Sequence, residues 1–174
     1  MLFADTMSSG LWEVRSMNKI INIAVTVAIG INLFKAPVPF EATTIEERAE
    51  MAGMTVEDFV FISSVVEAES DRSESLDGRI LIALTIINRV EDERFPDTIS
   101  EVLNQRGQFS TVRNGHSVTD RTDYSDEAVI RAVEWNEAGD DPNVLFFNCI
   151  GYGIGEPYGR IDGNYFTTME EENE

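Results

Sequence analysis

The 174-residue sequence predicts an α+β domain, mainly α, with a small β element. Three observations carry that expectation. First, a threonine followed three residues later by an acid recurs at Thr44–Glu47, Thr55–Asp58 and Thr98–Glu101. That spacing marks helix starts, because hydroxyl and carboxylate together satisfy backbone N–H groups that have no partner within the helix. Second, the run from Ser75 to Asp92, SLDGRILIALTIINRVED, is apolar nearly all round from Ile80 to Ile87. Its length favours a central buried helix over a strand. Third, NVLFFNCI (143–150) has strand composition and leads into the glycine- and tyrosine-rich GYGIGEPYGRIDGNYF.

Taken in chain order, the first element falls outside the domain. From Met17, an alternative start, a basic Lys19 precedes an apolar run from Ile20 to Phe34. That is a signal-like pattern, short for the ~20 apolar residues of a membrane-spanning helix. Residues 1–42 are therefore expected to be an export signal or weak membrane anchor plus linker, with Ala36 and Ala42 as cleavage candidates. Transient membrane association is expected through residues 20–34. The folded domain is expected over 43–168, and the acidic tail 169–174 is expected to be disordered. Within the domain a helix should start at Thr44 and a second run from Val56 to Ser70, before the long third one. Pro96 breaks the chain and Thr98 opens a short helix. QFSTVRNG (108–115) reads as a strand entering a turn. Ser125 is the expected cap of a helix Asp126–Ala138 that Gly139 stops.

Composition narrows the function. The formal net charge is −19, from 32 acidic and 13 basic residues. A phosphate backbone demands the opposite sign, so nucleic acid is excluded as a partner. With one cysteine, Cys149, there is no intrachain disulfide, and with one histidine, His116, no zinc cluster of the usual kind. Cys149 sits in an apolar run and is expected to be a buried structural thiol rather than a nucleophile paired with His116, which is expected in a loop.

Two glutamates stand close together in FVFISSVVEAES, residues 59–70. At about 100° per residue, Phe59, Phe61, Ile62, Val65 and Val66 cover roughly half the circumference, and Glu69 falls near the middle of that arc. Glu67 falls opposite, with Ser63 and Ser64. At the C-terminal end of an apolar stripe, burial and the helix dipole both favour a protonated carboxyl. A protonated carboxyl is what general-acid cleavage of a glycosidic bond requires. The spacing alone equally allows Glu69 to end the helix at the surface.

The elements VVEAES and LDGRILIALTIINRVEDERFPDTISEVLNQRGQFSTV resemble the SleB/CwlJ-like cell wall hydrolases, bacterial spore-cortex lytic enzymes and related phage lysins. Asn88-Arg89-Val90, Phe95-Pro96-x-Thr98-Ile99 and Gly107-Gln108-Phe109-Ser110 keep that family's order and spacing. VLFFN and YGRIDGNYF, with the pair Tyr165-Phe166, match its closing strands. The resemblance covers roughly residues 57–167.

It implies a lysozyme-like or lytic-transglycosylase-like fold with Glu69, after Ala68, as catalytic residue. The implied partner is the peptidoglycan glycan strand, cut between N-acetylmuramic acid and N-acetylglucosamine by lytic transglycosylation with Glu69 as single acid/base. Alternatives are an N-acetylmuramidase using water, or a non-catalytic wall-binding or virion structural protein. Gln108 and Ser110 are expected to bond the glycan, with Phe109 packed beneath. Tyr152, Tyr158 and Tyr165 are expected to stack on sugars, and Asn88 to hold the glutamate's loop. Candidates for a second carboxylate are Asp162, Asp71 and Glu74. No cofactor or metal is expected, the expected state is a monomer, and the expected location is periplasm or cell wall. Two departures stand out: Ser70-Asp71 replaces the small pair usual after the glutamate, and a tryptophan common near the C-terminal aromatics is absent. Wall polymers are anionic like this chain, so activity is expected to tolerate or need salt.

Overall fold

The computed structural model describes residues 43–169 apart from 71–74, 114–115 and 118. The expected export segment, Asp71, Glu74 and the tail beyond residue 169 lie outside the described residues. The elements run α1 (Ile45–Met51), α2 (Val56–Glu69), α3 (Leu76–Glu91), α4 (Ile99–Leu103), β1 (Val112–Arg113), β2 (His116–Ser117), α5 (Asp123–Ala138), β3 (Val144–Asn148), β4 (Glu156–Ile161) and β5 (Asn164–Thr168). β1 and β2 form a small antiparallel pair, and the second sheet is antiparallel in the order β3-β5-β4. This is the α+β, mainly α architecture the sequence predicts. Among the described residues no helix is long and apolar enough to cross a membrane.

The helix starts fall where the hydroxyl–acid spacing places them. Thr44 Oγ1 accepts from Glu47 N at 3.2 Å, and Glu47 Oε2 accepts from Thr44 N at 2.9 Å. Thr55 and Thr98 cap α2 and α4 by accepting from Asp58 N and Glu101 N at 3.1 and 3.2 Å. α5 differs from expectation: its N-cap is Thr122, and Ser125 lies one turn inside. The two hydroxyl residues form one reciprocal box, Ser125 N donating to Thr122 Oγ1 and Thr122 N donating to Ser125 Oγ, so the helix opens three residues earlier. Gly139 ends α5 at φ 74°, as expected of a left-handed cap.

α3 is the central element, buried continuously from Leu81 to Arg89, and packs against α2, α5, α4 and β3. α2 contributes Phe59, Ile62, Val65 and Val66 to the core, α5 Ala128, Val129 and Ala132, and the sheet Val144 and Phe166. Ser63 and Ser64 are buried too, so α2 is covered on the side expected to face solvent. Small hydroxyl side chains let neighbours approach there, and Ser117 on β2 donates to the Ser64 carbonyl at 3.1 Å. α1 is fastened to α5 by an ionic cluster: Arg48 Nη1 lies 2.6 Å from both Asp123 Oδ1 and Asp126 Oδ2, and Arg121 also meets Asp126.

Two turns shape the sheet. Asp162-Gly163 joins β4 to β5 with φ of 48° and 85°, both left-handed as a tight Asp-Gly hairpin turn requires. Gly155 sits at φ 91° where the incoming loop returns against β5, and a Cβ there would lie 1.9 Å from the Thr168 carbonyl oxygen. β4 carries a bulge between Pro157 and Gly159, which brings Tyr158 and Gly159 together opposite Phe166.

Two positions differ from expectation. Cys149 is exposed, because β3 ends at Asn148. Asn148 Oδ1 accepts from Ile150 N at 2.8 Å and Gly151 N at 3.0 Å, turning the chain away from the core. His116 belongs to β2, paired with Arg113, rather than to a loop.

Candidate active site

Glu69 is the last residue of α2, half-buried, with Oε1 accepting a hydrogen bond from Thr111 Oγ1 at 2.8 Å. The helix is closed just behind it. Ser70 donates its N–H to Val66 O at 3.0 Å and its hydroxyl to the same oxygen at 2.5 Å. Ser70, a departure from the family pattern, is thus an internal cap that fixes where the end of α2 points.

Glu67 is bound quite differently. Its Oε1 lies 3.3 Å from Arg79 Nη2 on α3, and its Oε2 accepts from Thr122 Oγ1 at 2.6 Å. With side-chain exposures of 18% and 13%, Glu67 and Arg79 form a sheltered pair tying α2 to α3 and to the cap of α5. So the two similar carboxylates separate by partner: Glu67 faces a cation, whereas Glu69 faces a neutral hydroxyl.

Sequence reasoning misses Thr111, whose signal is a hydroxyl one residue past Ser110. Thr111→Val keeps the shape and removes the bond. The expected outcome is a roughly tenfold loss of turnover, in line with about 1–1.5 kcal/mol for one hydrogen bond. Steady-state kinetics with an unchanged melting temperature would check it.

The segment carrying Thr111 is anchored from below. Phe109 is 5% exposed and lies 6.3 Å from Phe147, centroid to centroid. Its ring is therefore a buried support beneath the segment, not a face open to sugar. Gln108 and Ser110 on either side are exposed.

Arg89, only 3% exposed, stands beside Phe109. Its guanidinium lies 5.1, 5.6 and 5.3 Å from the ring centroids of Phe95, Phe109 and Phe146, and its Nε donates to Leu145 O at 2.7 Å. Burial pushes its pKa down to about 10, still charged at neutral pH. Four of the stretches that carry the resemblance, those of Arg89, Phe95, Phe109 and Leu145-Phe146, meet at this cation.

Asn88, next to it, is buried and donates to Asp141 Oδ2 and Val144 O, both at 3.1 Å, while its Oδ1 accepts from Asn136 Nδ2 at 3.3 Å. Among the described residues its partners therefore lie between α5 and β3, not in the glutamate's loop as expected. Asp162 accepts a hydrogen bond from Ser75, the cap of α3. Asp162→Asn keeps a side chain that tolerates the turn and is expected to retain activity within a few-fold. A loss as deep as that of a catalytic acid would restore Asp162 as a second carboxylate.

The three tyrosines separate into two places. Tyr152 meets Tyr165 edge to face, centroids 5.0 Å apart at 80°, and Arg160 lies 5.1 Å over the Tyr165 ring. Tyr158, on the bulge, lines a separate hollow of about 330 Å³ with Asp77, Ile80, Leu81, Trp135 and Ile161.

Residues 73–149 match the family model described as Cell Wall Hydrolase, a span that begins just after Glu69. The spore cortex-lytic enzyme of Oceanobacillus iheyensis is 30% identical over 96 residues, 55% of this chain and 33% of that protein. The Bacillus cereus enzyme of the same name is 29% identical over 96 residues, 55% of this chain and 36% of its own length. The chain thus spans about a third of the curated relatives it matches. The catalytic domain of Bacillus cereus SleB superposes with a TM-score of 0.56 at 24% identity, covering 66% of this chain and 91% of that one. That of the germination-specific lytic transglycosylase SleB from Bacillus anthracis gives 0.56 at 24% identity, covering 67% and 98%. Over residues 73–149 the chain is similar to the SleB-like cell wall hydrolases. The lysozyme-like fold expected from the sequence is the one it shares with the solved structures, and the fold alone is what they contribute.

Proposed function

We propose that this protein degrades peptidoglycan by cleaving the glycosidic bond between N-acetylmuramic acid and N-acetylglucosamine, through lytic transglycosylation with Glu69 as acid and then base. The observation that carries this reading is the environment of Glu69. It ends a helix of the core, its bonded partner is a neutral hydroxyl, and two other acids, Glu67 and Asp162, are engaged with partners of their own.

The Thr111 bond occupies Oε1 and leaves Oε2 for the substrate. A proton passes from Glu69 to the leaving oxygen as the bond to the muramoyl anomeric carbon breaks. The N-acetyl group of the sugar stabilises the cationic carbon. The glutamate, now a carboxylate, takes the proton of the muramoyl 6-hydroxyl, whose oxygen closes on that carbon. No water is consumed, and the product carries a 1,6-anhydro end. One carboxyl group suffices because the sugar supplies the nucleophile, whereas a hydrolase would need a second carboxylate at a defined separation.

Export to the wall, by a bacterium or as a phage lysin, follows from this substrate. The test is whether the protein solubilises purified peptidoglycan without generating reducing ends. Solubilisation with a matching rise in reducing groups would make it a muramidase, and no solubilisation would leave a wall-binding or structural role.

A further inference from the structure

In a chain of net charge −19, arginines are scarce and mostly neutralised. Among the described side chains, Arg48, Arg79, Arg94, Arg121 and Arg131 each pair with a carboxylate, and Arg89 is buried among rings. Two exposed arginines carry no carboxylate partner, Arg106 and Arg160. Arg160 is distinguished by its setting. It pairs in register with Tyr165 across the sheet, Tyr165 pairs with Asn148, and cross-strand partners share a face. Phe147 and Phe166, the neighbours in those strands, pack inward. Arg160 therefore stands on the outer face of the sheet, over the Tyr165 ring, with the exposed Tyr152 against the ring from another side.

Cation–π attraction to a ring favours this position of the guanidinium without using its N–H groups as hydrogen-bond donors, so they remain available as a fork. Such a fork matches a carboxylate in bidentate geometry. Among the described residues this cation has no carboxylate partner, although acids outnumber bases 32 to 13 in the sequence. We propose that Arg160, over the ring of Tyr165, is a binding site for carboxylates of the wall polymer, on the outer sheet face. This rests on peptidoglycan being the substrate. The site offers a local answer to a general difficulty. The net field of the protein repels an anionic polymer, but salt screens that field beyond about 8–10 Å, while a cation at contact distance still attracts. Two carboxylates bear the same chemistry: the lactyl carboxylate of muramic acid and those of its peptide.

The experiment measures binding in a Glu69→Gln background, so that cleavage does not consume the ligand. Three polymers are compared: intact peptidoglycan, strands stripped of peptide by an amidase so that the lactyl carboxylate is free, and the same strands with carboxylates amidated. Arg160→Gln is expected to weaken binding about tenfold to carboxylate-bearing polymer and not to the amidated one. Arg160→Lys should recover only part, and Arg131→Gln, the same charge change on a helix face, should bind like its parent. Loss on intact polymer alone assigns the peptide carboxylates, and loss on stripped strands assigns the lactyl group. Arg160→Gln equal to its parent on both polymers, with an unchanged melting temperature, overturns the site, as does an equal loss on amidated strands. Absence of binding to all three polymers would overturn the peptidoglycan reading itself.

Discussion

Glu69→Gln is expected to lower turnover on peptidoglycan by about three orders of magnitude while the melting temperature barely moves. The magnitude follows from general acid catalysis, typically 10²–10⁴-fold. The small structural effect follows from the site. Glu69 ends its helix, half-buried, with Thr111 as hydrogen-bond donor. A glutamine offers Thr111 the same carbonyl-type acceptor in the same place, so the bond persists and only the transferable proton is lost. The equivalent change at Glu67 should invert the pattern. Glu67 holds Arg79 and Thr122, so Glu67→Gln weakens a sheltered ion pair and lowers stability more than chemistry. Kinetics and thermal unfolding of both variants would separate the two glutamates, and a Glu69→Gln enzyme retaining most of its turnover would remove the site.

The second large effect is expected at Arg89. Burial of its charge is unfavourable, as its lowered pKa of about 10 shows, and is worth on the order of 3 kcal/mol. Three ring contacts at ~1–2 kcal/mol each and one charge-assisted hydrogen bond to Leu145 O outweigh it. Arg89→Met is therefore expected to cost about 2–3 kcal/mol of stability, read by denaturant unfolding. Activity should fall as well at temperatures where the variant remains folded, because Phe109 anchors the segment whose next hydroxyl but one, Thr111, holds Glu69. Arg89→Lys keeps the charge but not the planar fork, so it should lie between the two. A Met variant as stable as the parent would show that ring contacts and penalty cancel.

What was legible in the sequence is mostly local. Caps at Thr44, Thr55 and Thr98, the stop at Gly139 and the all-round apolar α3 depend on residues within one turn of each other. The start of α5 was misplaced because Thr122 and Ser125 both carry capping hydroxyls, and only their reciprocal bonding shows which begins the helix. Cys149 was misplaced because an apolar run does not reveal where its strand ends; the turn made by Asn148 does. Helical spacing puts Glu67 and Glu69 on different sides of α2 but misses the surroundings of Glu67, since its partner Arg79 comes from the next helix. The contacts of Thr111 with Glu69, Ser75 with Asp162 and Arg48 with Asp126 join residues 42 or more apart, where periodicity carries no signal.

The most direct test of the account is mass spectrometry of fragments released from purified peptidoglycan by the wild-type protein and by Glu69→Gln. The account predicts fragments with anhydro-muramoyl ends, one water lighter than hydrolysed ones, and none from the variant. Release that survives Glu69→Gln would contradict it, and reducing-end fragments lost in the variant would keep the glutamate but replace the muramoyl hydroxyl with water.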